Sequence, residues 1–231
     1  MNNGFRGERG KLSDVKGIKN KIEYIWEYYK IHIIVGTVLF ISLVSFIRYR
    51  INYQYVQLTM GIVNGTQVDA SEFENDFIEY LGLNPKKNTI SVYNNSLNSD
   101  ERMTGETPYK ILDVYIAAGQ LNVAFCDEKG VDYISRMGGA WDLYEITTAD
   151  QQKVLSQYFT KFSFLVASGL TEAEMVYDQR YVAIDLSSTS LMEYFGLDED
   201  HKYMIISNYE NNEENMVKFL DFITEYVKEN G

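Results

Sequence analysis

One cysteine, Cys126, is all the chain offers to sulfur chemistry, so no internal disulfide can staple it. Histidine is nearly as scarce: His32 and His201 are the two present, and nucleophilic catalysis needs a base beside its nucleophile. Basic side chains are in deficit, with 21 Lys and Arg against 33 Asp and Glu and a net charge of -12, a balance that argues against nucleic acid as a partner. The chain also lacks a phosphate-cradling glycine loop, paired zinc-ligand spacing and a nucleophile elbow. No catalytic residue, metal ligand or cofactor is therefore assigned, and a non-catalytic role is expected. What the chain has in quantity is apolar surface. Aromatics make up 14% of its 231 residues and the broad apolar count reaches 45%, which excludes disorder and suffices for the core of one modest domain.

One stretch stands apart from this average. Residues 31–47 (IHIIVGTVLFISLVSFI) contain no Asp, Glu, Lys or Arg, and His32 is their one ionisable group. Seventeen residues at helical rise reach roughly 25 Å, which Trp26, Tyr28 and Tyr29 extend as interfacial anchors. Lys30 and Arg48 mark the two ends. A buried core helix would show a polar face, and a cleaved signal peptide would end in small residues. This run ends Phe46-Ile47-Arg48, so an uncleaved signal anchor in contact with membrane lipid fits best.

The first 30 residues carry seven Lys and Arg against four acids. Because positively charged flanks stay on the cytoplasmic side, the expected topology is N-terminus inside and C-terminal domain outside the cell membrane. The expected organisation is a cytoplasmic tail at 1–30, a transmembrane helix and flank at 31–50, and an external domain at 51–231. That external part holds 12 basic and 29 acidic side chains, a net of -17, and stands off from anionic headgroups. Before the membrane run, Ile18, Ile22, Ile25, Trp26 and Tyr29 recur at helical spacing. They read as an amphipathic segment at the cytoplasmic interface before the chain turns into the bilayer.

Beyond Arg50, short β-rich runs alternate with helical periods, which predicts an α/β domain with a mixed, mainly parallel sheet and flanking helices. Strands are expected at 55–63 (YVQLTMGIV), 88–93 (NTISVY), 121–126 (LNVAFC) and 202–207 (KYMIIS). Between 162 and 186, FSFLV, EMVY and RYVAIDL are expected to be separate strands with turns at Ser168-Gly169 and Asp178-Gln179. Ser71 and Glu74 have the spacing of a capping box, and Thr107-Pro108 reads as a helix start. A helix is expected around 130–136, another from Asp150, and a short one over 190–195. A long final helix is capped by Asn211 or Asn212 and presents Met216, Phe219, Leu220, Ile223, Tyr226 and Val227 on one face.

Residues 107–146 (TPYKILDVYIAAGQLNVAFCDEKGVDYISRMGGAWDLYEI) resemble the part of bacterial type 2 solute-binding proteins where a helix ends in a small-residue-Gly turn and a buried strand ends at an aspartate. In that part a second helix then precedes an aspartate-leucine pair. The closing segment ISNYENNEENMVKFLDFITEY is similar to their last strand, Asn-rich turn and helix. The resemblance implies a solute-binding-like fold, reduced to one lobe or a strongly shortened pair, and a role in binding a small ligand or envelope component.

In open α/β sheets ligands bind beyond the carboxyl ends of the strands. Those ends nominate Asn64, Thr66, Asn94, Asn95, Asp127, Glu128, Ser207 and Asn208 as ligand-binding candidates, although turn residues are polar in any case and Asp127 also reads as a helix cap. Asp198-Glu199-Asp200-His201 lacks the spacing of a calcium loop and reads as a solvated loop. Cys126 reads as a buried small hydrophobe. The alternative to ligand binding is a structural or assembly protein of the envelope, acting on protein partners through its membrane helix and external surface.

Overall fold

The computed structural model describes residues 17–65, 68–94, 109–167, 175–207 and 209–230, and the chain separates into two compact units, Met1–Tyr53 and Gln54–Gly231. The first is built on one uninterrupted helix, α1 (Ile18–Asn52), of 35 residues. Within it Ile25–Asn52 is long and apolar enough to cross a membrane, and none of that stretch is buried in protein. The amphipathic residues from Ile18 to Tyr29 share this helix, so no turn separates them from the apolar run. The segment 18–35 contains neither proline nor glycine, and nothing there interrupts the backbone ladder.

The second unit carries six strands: β1 (Tyr55–Val63), β2 (Asn88–Tyr93), β3 (Val123–Cys126), β4 (Phe159–Ala167), β5 (Val176–Asp185) and β6 (Tyr203–Ile206). They form one sheet in the order β2-β1-β3-β6-β5-β4. β1 runs parallel to β2 and β3, while β6 is antiparallel to β3 and β5, and β4 is antiparallel to β5. The sheet is mixed as expected, but it is not mainly parallel. Its second half is antiparallel because β4 and β5 follow each other as neighbours and β6 inserts beside β3 in the reverse direction.

Helices cover both faces. Side chains alternate along the central strands: Leu58, Met60, Ile62, Val123, Phe125, Met204 and Ile206 enter one core layer, and Val63, Ala124, Cys126 and Ile205 enter the other. The first layer is closed by α2 (Ser71–Tyr80) and α8 (Glu213–Asn230), with α5 (Leu143–Ile146), α6 (Ala149–Leu155) and α7 (Leu191–Tyr194) beside them. Phe73 sits at its centre, with ring centroids 5.1–5.8 Å from Phe77, Phe195, Phe219 and Phe222. The second layer is closed by α3 (Lys110–Ala117) and α4 (Glu128–Arg136).

Three register shifts fall within the described strand pairs, one opposite β2 in β1 and two in the β4–β5 pairing at Thr160/Lys161 and Leu165/Ala167. In β1 the shift falls between Val56 and Leu58, and the carbonyl of Gln57 accepts from Asn212 Nδ2 at 2.8 Å and Asn215 Nδ2 at 3.0 Å. The bulge thus fastens the start of α8. In β5 the shift falls opposite Thr160/Lys161 and turns the adjacent Val182 and Ala183 into the same core layer.

Local expectations fare unevenly. Asp178 and Gln179 do not turn the chain but lie inside β5, paired with Phe164 and Ser163, so Val176-Tyr177 and Arg180–Asp185 belong to one strand. The Ser71/Glu74 capping box does not form. Ser71 Oγ donates to Asp69 at 2.7 Å, and Glu74 instead accepts from Thr89 Oγ1 and the Ile90 N–H, because β2 brings donors closer than the cap position does. The capping box that forms is Thr148/Gln151, at the start of α6. At the start of α8, Asn212 donates from Nδ2 to the Gln57 carbonyl and accepts at Oδ1 from Asn215 Nδ2. The Thr107-Pro108 start and the Ser168-Gly169 turn lie outside the described residues.

Candidate functional site

Strand β3 is buried along its whole length and ends at Asp127, whose side chain accepts from the Gly130 N–H at 2.8 Å and caps α4. The helix packs tightly on the sheet: a Cβ at Gly130 would lie 3.0 Å from Asp127 Oδ1 and 3.2 Å from both Cys126 Cβ and Val63 Cγ1. Val131, Ile134 and Ser135 are buried with Gly130. The opposite stripe, Lys129, Asp132, Tyr133, Arg136 and Met137, follows helical spacing and faces a groove of about 1170 Å³.

That groove starts at the carboxyl ends of β1 and β3, at Asn64, Tyr109, Asp127 and Glu128, and follows α4 down to the β4–β5 hairpin. Phe162, Leu165, Met175 and Tyr177 form the wall facing α4, and residues 199–203 form its upper rim. Aromatic rings supply much of the apolar lining, and five carboxylates stand against three cationic side chains.

The groove is held by a set of interlocked contacts. Asn64, with φ at 62°, donates from Nδ2 to Tyr109 Oη at 2.8 Å and to Asp127 Oδ1 at 3.2 Å. Tyr109 lies against Tyr133, with ring centroids 4.4 Å apart. Tyr133 Oη donates to Asp113 at 2.8 Å. Burial first, and then the Asp113 carboxylate, push the Tyr133 phenol well above the ordinary tyrosine range, so it remains a neutral donor. Arg136 pairs with Asp132 at 2.9 Å and lies over Tyr177, 5.6 Å from the ring centroid.

The upper rim departs from the sequence reading at His201. Asp198 caps a 3-10 turn, Glu199–His201, accepting from the N–H groups of Asp200 and His201. It also meets His201 Nδ1 at 2.6 Å. Asp198, Glu199 and Asp200 are exposed, as a solvated loop requires, whereas His201 is 7% exposed and folded into the domain. Burial opposes the charge of Asp198, but the His201 ring and the two backbone donors keep its pKa below the usual carboxylate value. Nε2 of His201 is buried without a hydrogen-bond partner. Gly65 lies against it, where a Cβ would be 3.2 Å from Nε2 and 2.2 Å from Ile62 Cδ1. Only glycine fits there.

Of the eight nominated residues, the fold brings Asn64, Asp127 and Glu128 together at the head of the groove. Asn94 is engaged elsewhere, accepting from the Val68 N–H at 2.8 Å. Ser207 lies at the opposite end of the sheet, because β6 is antiparallel to β3 and Ile206 pairs with Val123. Thr66, Asn95 and Asn208 lie outside the described residues. The α4 stripe, Tyr177 and His201 were not nominated. The stripe was legible as positions i, i+3, i+4 and i+7 on a helix, whereas Tyr177 joins it through the pairing of β5 with β4 and His201 through the 3-10 turn that precedes β6. Cys126 is fully buried under α4, and burial raises its thiol pKa well above normal, which leaves it unreactive. Compared with protein-family models, curated proteins and solved structures, the chain matches none.

Proposed function

We propose that this is a single-pass membrane protein, with a cytoplasmic N-terminus and an external α/β domain that binds a small ligand without transforming it. The observation that carries the reading is the groove along α4. At about 1170 Å³ it is slightly larger than the roughly 300–1,000 Å³ of most small-molecule sites, and it combines apolar walls with a few polar groups at fixed positions. The membrane-length α1, the basic residues preceding it and the resemblance of residues 107–146 and 181–227 to solute-binding proteins support the same reading. The domain then stands as one reduced lobe, with its ligand on the helix-covered face rather than between lobes.

Thermal unfolding of the full chain in detergent against a panel of small metabolites tests it. A ligand is expected to raise Tm by several degrees in the wild type and by nothing in Leu165→Trp, which fills the groove. No shift across the panel overturns the proposal. The assembly alternative draws on Val166 and Val176, both exposed on the β4–β5 hairpin; their replacement by Ser would then abolish crosslinking to envelope proteins in cells.

A further inference from the structure

We infer that α1 pairs with α1 of a second copy of this chain, as a parallel two-helix seam that starts in water before the bilayer and runs on into it. This rests on the reading of α1 as a membrane span and is independent of the groove. Ile18, Ile22, Ile25 and Tyr29 follow one another at spacings of four, three and four residues, the repeat that keeps one stripe facing a partner helix. Among the described residues nothing covers it: Ile18 is 81% and Ile22 62% exposed. Because α1 is unbroken from Ile18 to Asn52, the stripe cannot fold flat onto the membrane surface. With a hydrocarbon core of about 30 Å counted from Tyr28, Ile22 and Ile18 stand about 9 and 15 Å beyond it, past a headgroup zone of about 5–8 Å. Lipid does not reach them, whereas a helix running beside α1 does.

The same repeat continues inside the apolar run through His32, Gly36, Leu39, Leu43 and Phe46. Two of these are costly in a lone helix. His32 is the one ionisable group of the run, and such groups face a neighbouring helix rather than lipid. Gly36 weakens a helix relative to alanine, yet a Cβ there would meet no atom within 4 Å; the close approach of a second backbone supplies its reason. The partner is a second copy because the seam complements itself. Copies inserted in one membrane share one orientation, so they meet in parallel and in register, Ile22 against Ile22 and Gly36 against Gly36. In that register Lys21 lies opposite Trp26 of the second copy, a cation against an indole, and Tyr28 lies opposite Ile33. Asn20, Glu23, Glu27 and Lys30 fall on the outer face, and between Lys21 and Ile33 no like charges meet across the seam.

The test uses the full chain in membranes, where the buried Cys126 is out of reach of mild oxidants, with cysteines introduced singly along α1. Ile18→Cys, Ile22→Cys and Ile25→Cys are expected to give disulfide-linked dimers, and Asn20→Cys, Glu23→Cys and Glu27→Cys to give few. The Kd of the dimer, read by energy transfer between labelled full-length copies diluted in lipid vesicles, should rise at least about tenfold in Ile22→Glu, which removes one covered isoleucine from each copy. It should stay near the wild-type value in Glu23→Gln. Crosslinks that peak on the Glu23 and Glu27 side, crosslinks without helical period, no crosslinks at all, or a Kd unmoved by Ile22→Glu overturn the inference. If alkaline carbonate releases the chain from membranes, the span falls and the seam with it; a retained chain without periodic crosslinks removes the seam alone.

Discussion

At Asn64 the backbone enters the left-handed region, with φ at 62°, a conformation costing about 1–2 kcal/mol for a residue with a bulky Cβ. The side chain compensates by linking Tyr109 and Asp127. Asn64→Gly should therefore lose the side chain's interactions but keep the backbone conformation, while Asn64→Val should be less stable than Asn64→Gly by about 1–2 kcal/mol, read from denaturant melts. Asp198 makes a prediction in pH. Its carboxyl is held below the ordinary value in the folded protein, so its contribution is present above the unfolded pKa of about 3.9 and is lost as the pH falls through the lower folded value. The Tm gap between wild type and Asp198→Asn should be widest near neutrality and close as the pH drops below about 3.9. A gap that persists at low pH would show that charge is not what Asp198 supplies. Asp127 was recognisable from sequence as a cap because capping depends on residues three apart. His201 was not, because its burial depends on residues 62–65, more than a hundred positions away.

Among the elements, α4 connects fold to site. One side is pressed on β1 and β3 at Gly130, and the other presents the groove stripe. Replacing a helix glycine by alanine ordinarily gains up to about 1 kcal/mol. Here the new methyl meets the Asp127 carboxylate, held in place by its bond to the Gly130 N–H, and the fully buried Cys126 and Val63, at 3.0–3.2 Å. Gly130→Ala should thus destabilise by about 1–3 kcal/mol and weaken any groove ligand by displacing the stripe. Unchanged stability and binding would show that the helix is free to shift. Strands and helices were largely readable in the sequence, since alternation in β1 and the apolar stripe of α8 are properties of consecutive residues. Their edges were not. Asp178-Gln179 has turn chemistry but is carried through as strand by cross-strand partners on β4, and Glu74 abandons a cap for donors on β2.

For the whole molecule, the net charge of -12 conceals two parts of different chemistry. A tail with excess positive charge precedes α1, and residues 51–231 carry -17. The proposed topology follows from that asymmetry. Protease added to intact cells should degrade the domain beyond residue 54 and spare an epitope placed at the N-terminus; a protected domain with a lost epitope would reverse the orientation.

The sequence by itself determined the membrane-length helix, the α/β class, the acidity of the domain and most of its elements, because hydropathy, charge and periodicity are properties of neighbouring residues. Tertiary structure alone decided the direction of β6, and with it which strand ends meet. Ser207 went to the far end of the sheet, and His201 and Tyr203 came to the head of the groove. Strand direction is settled by which distant segments bury each other's apolar faces and satisfy each other's backbone. No local pattern in this chain records that choice.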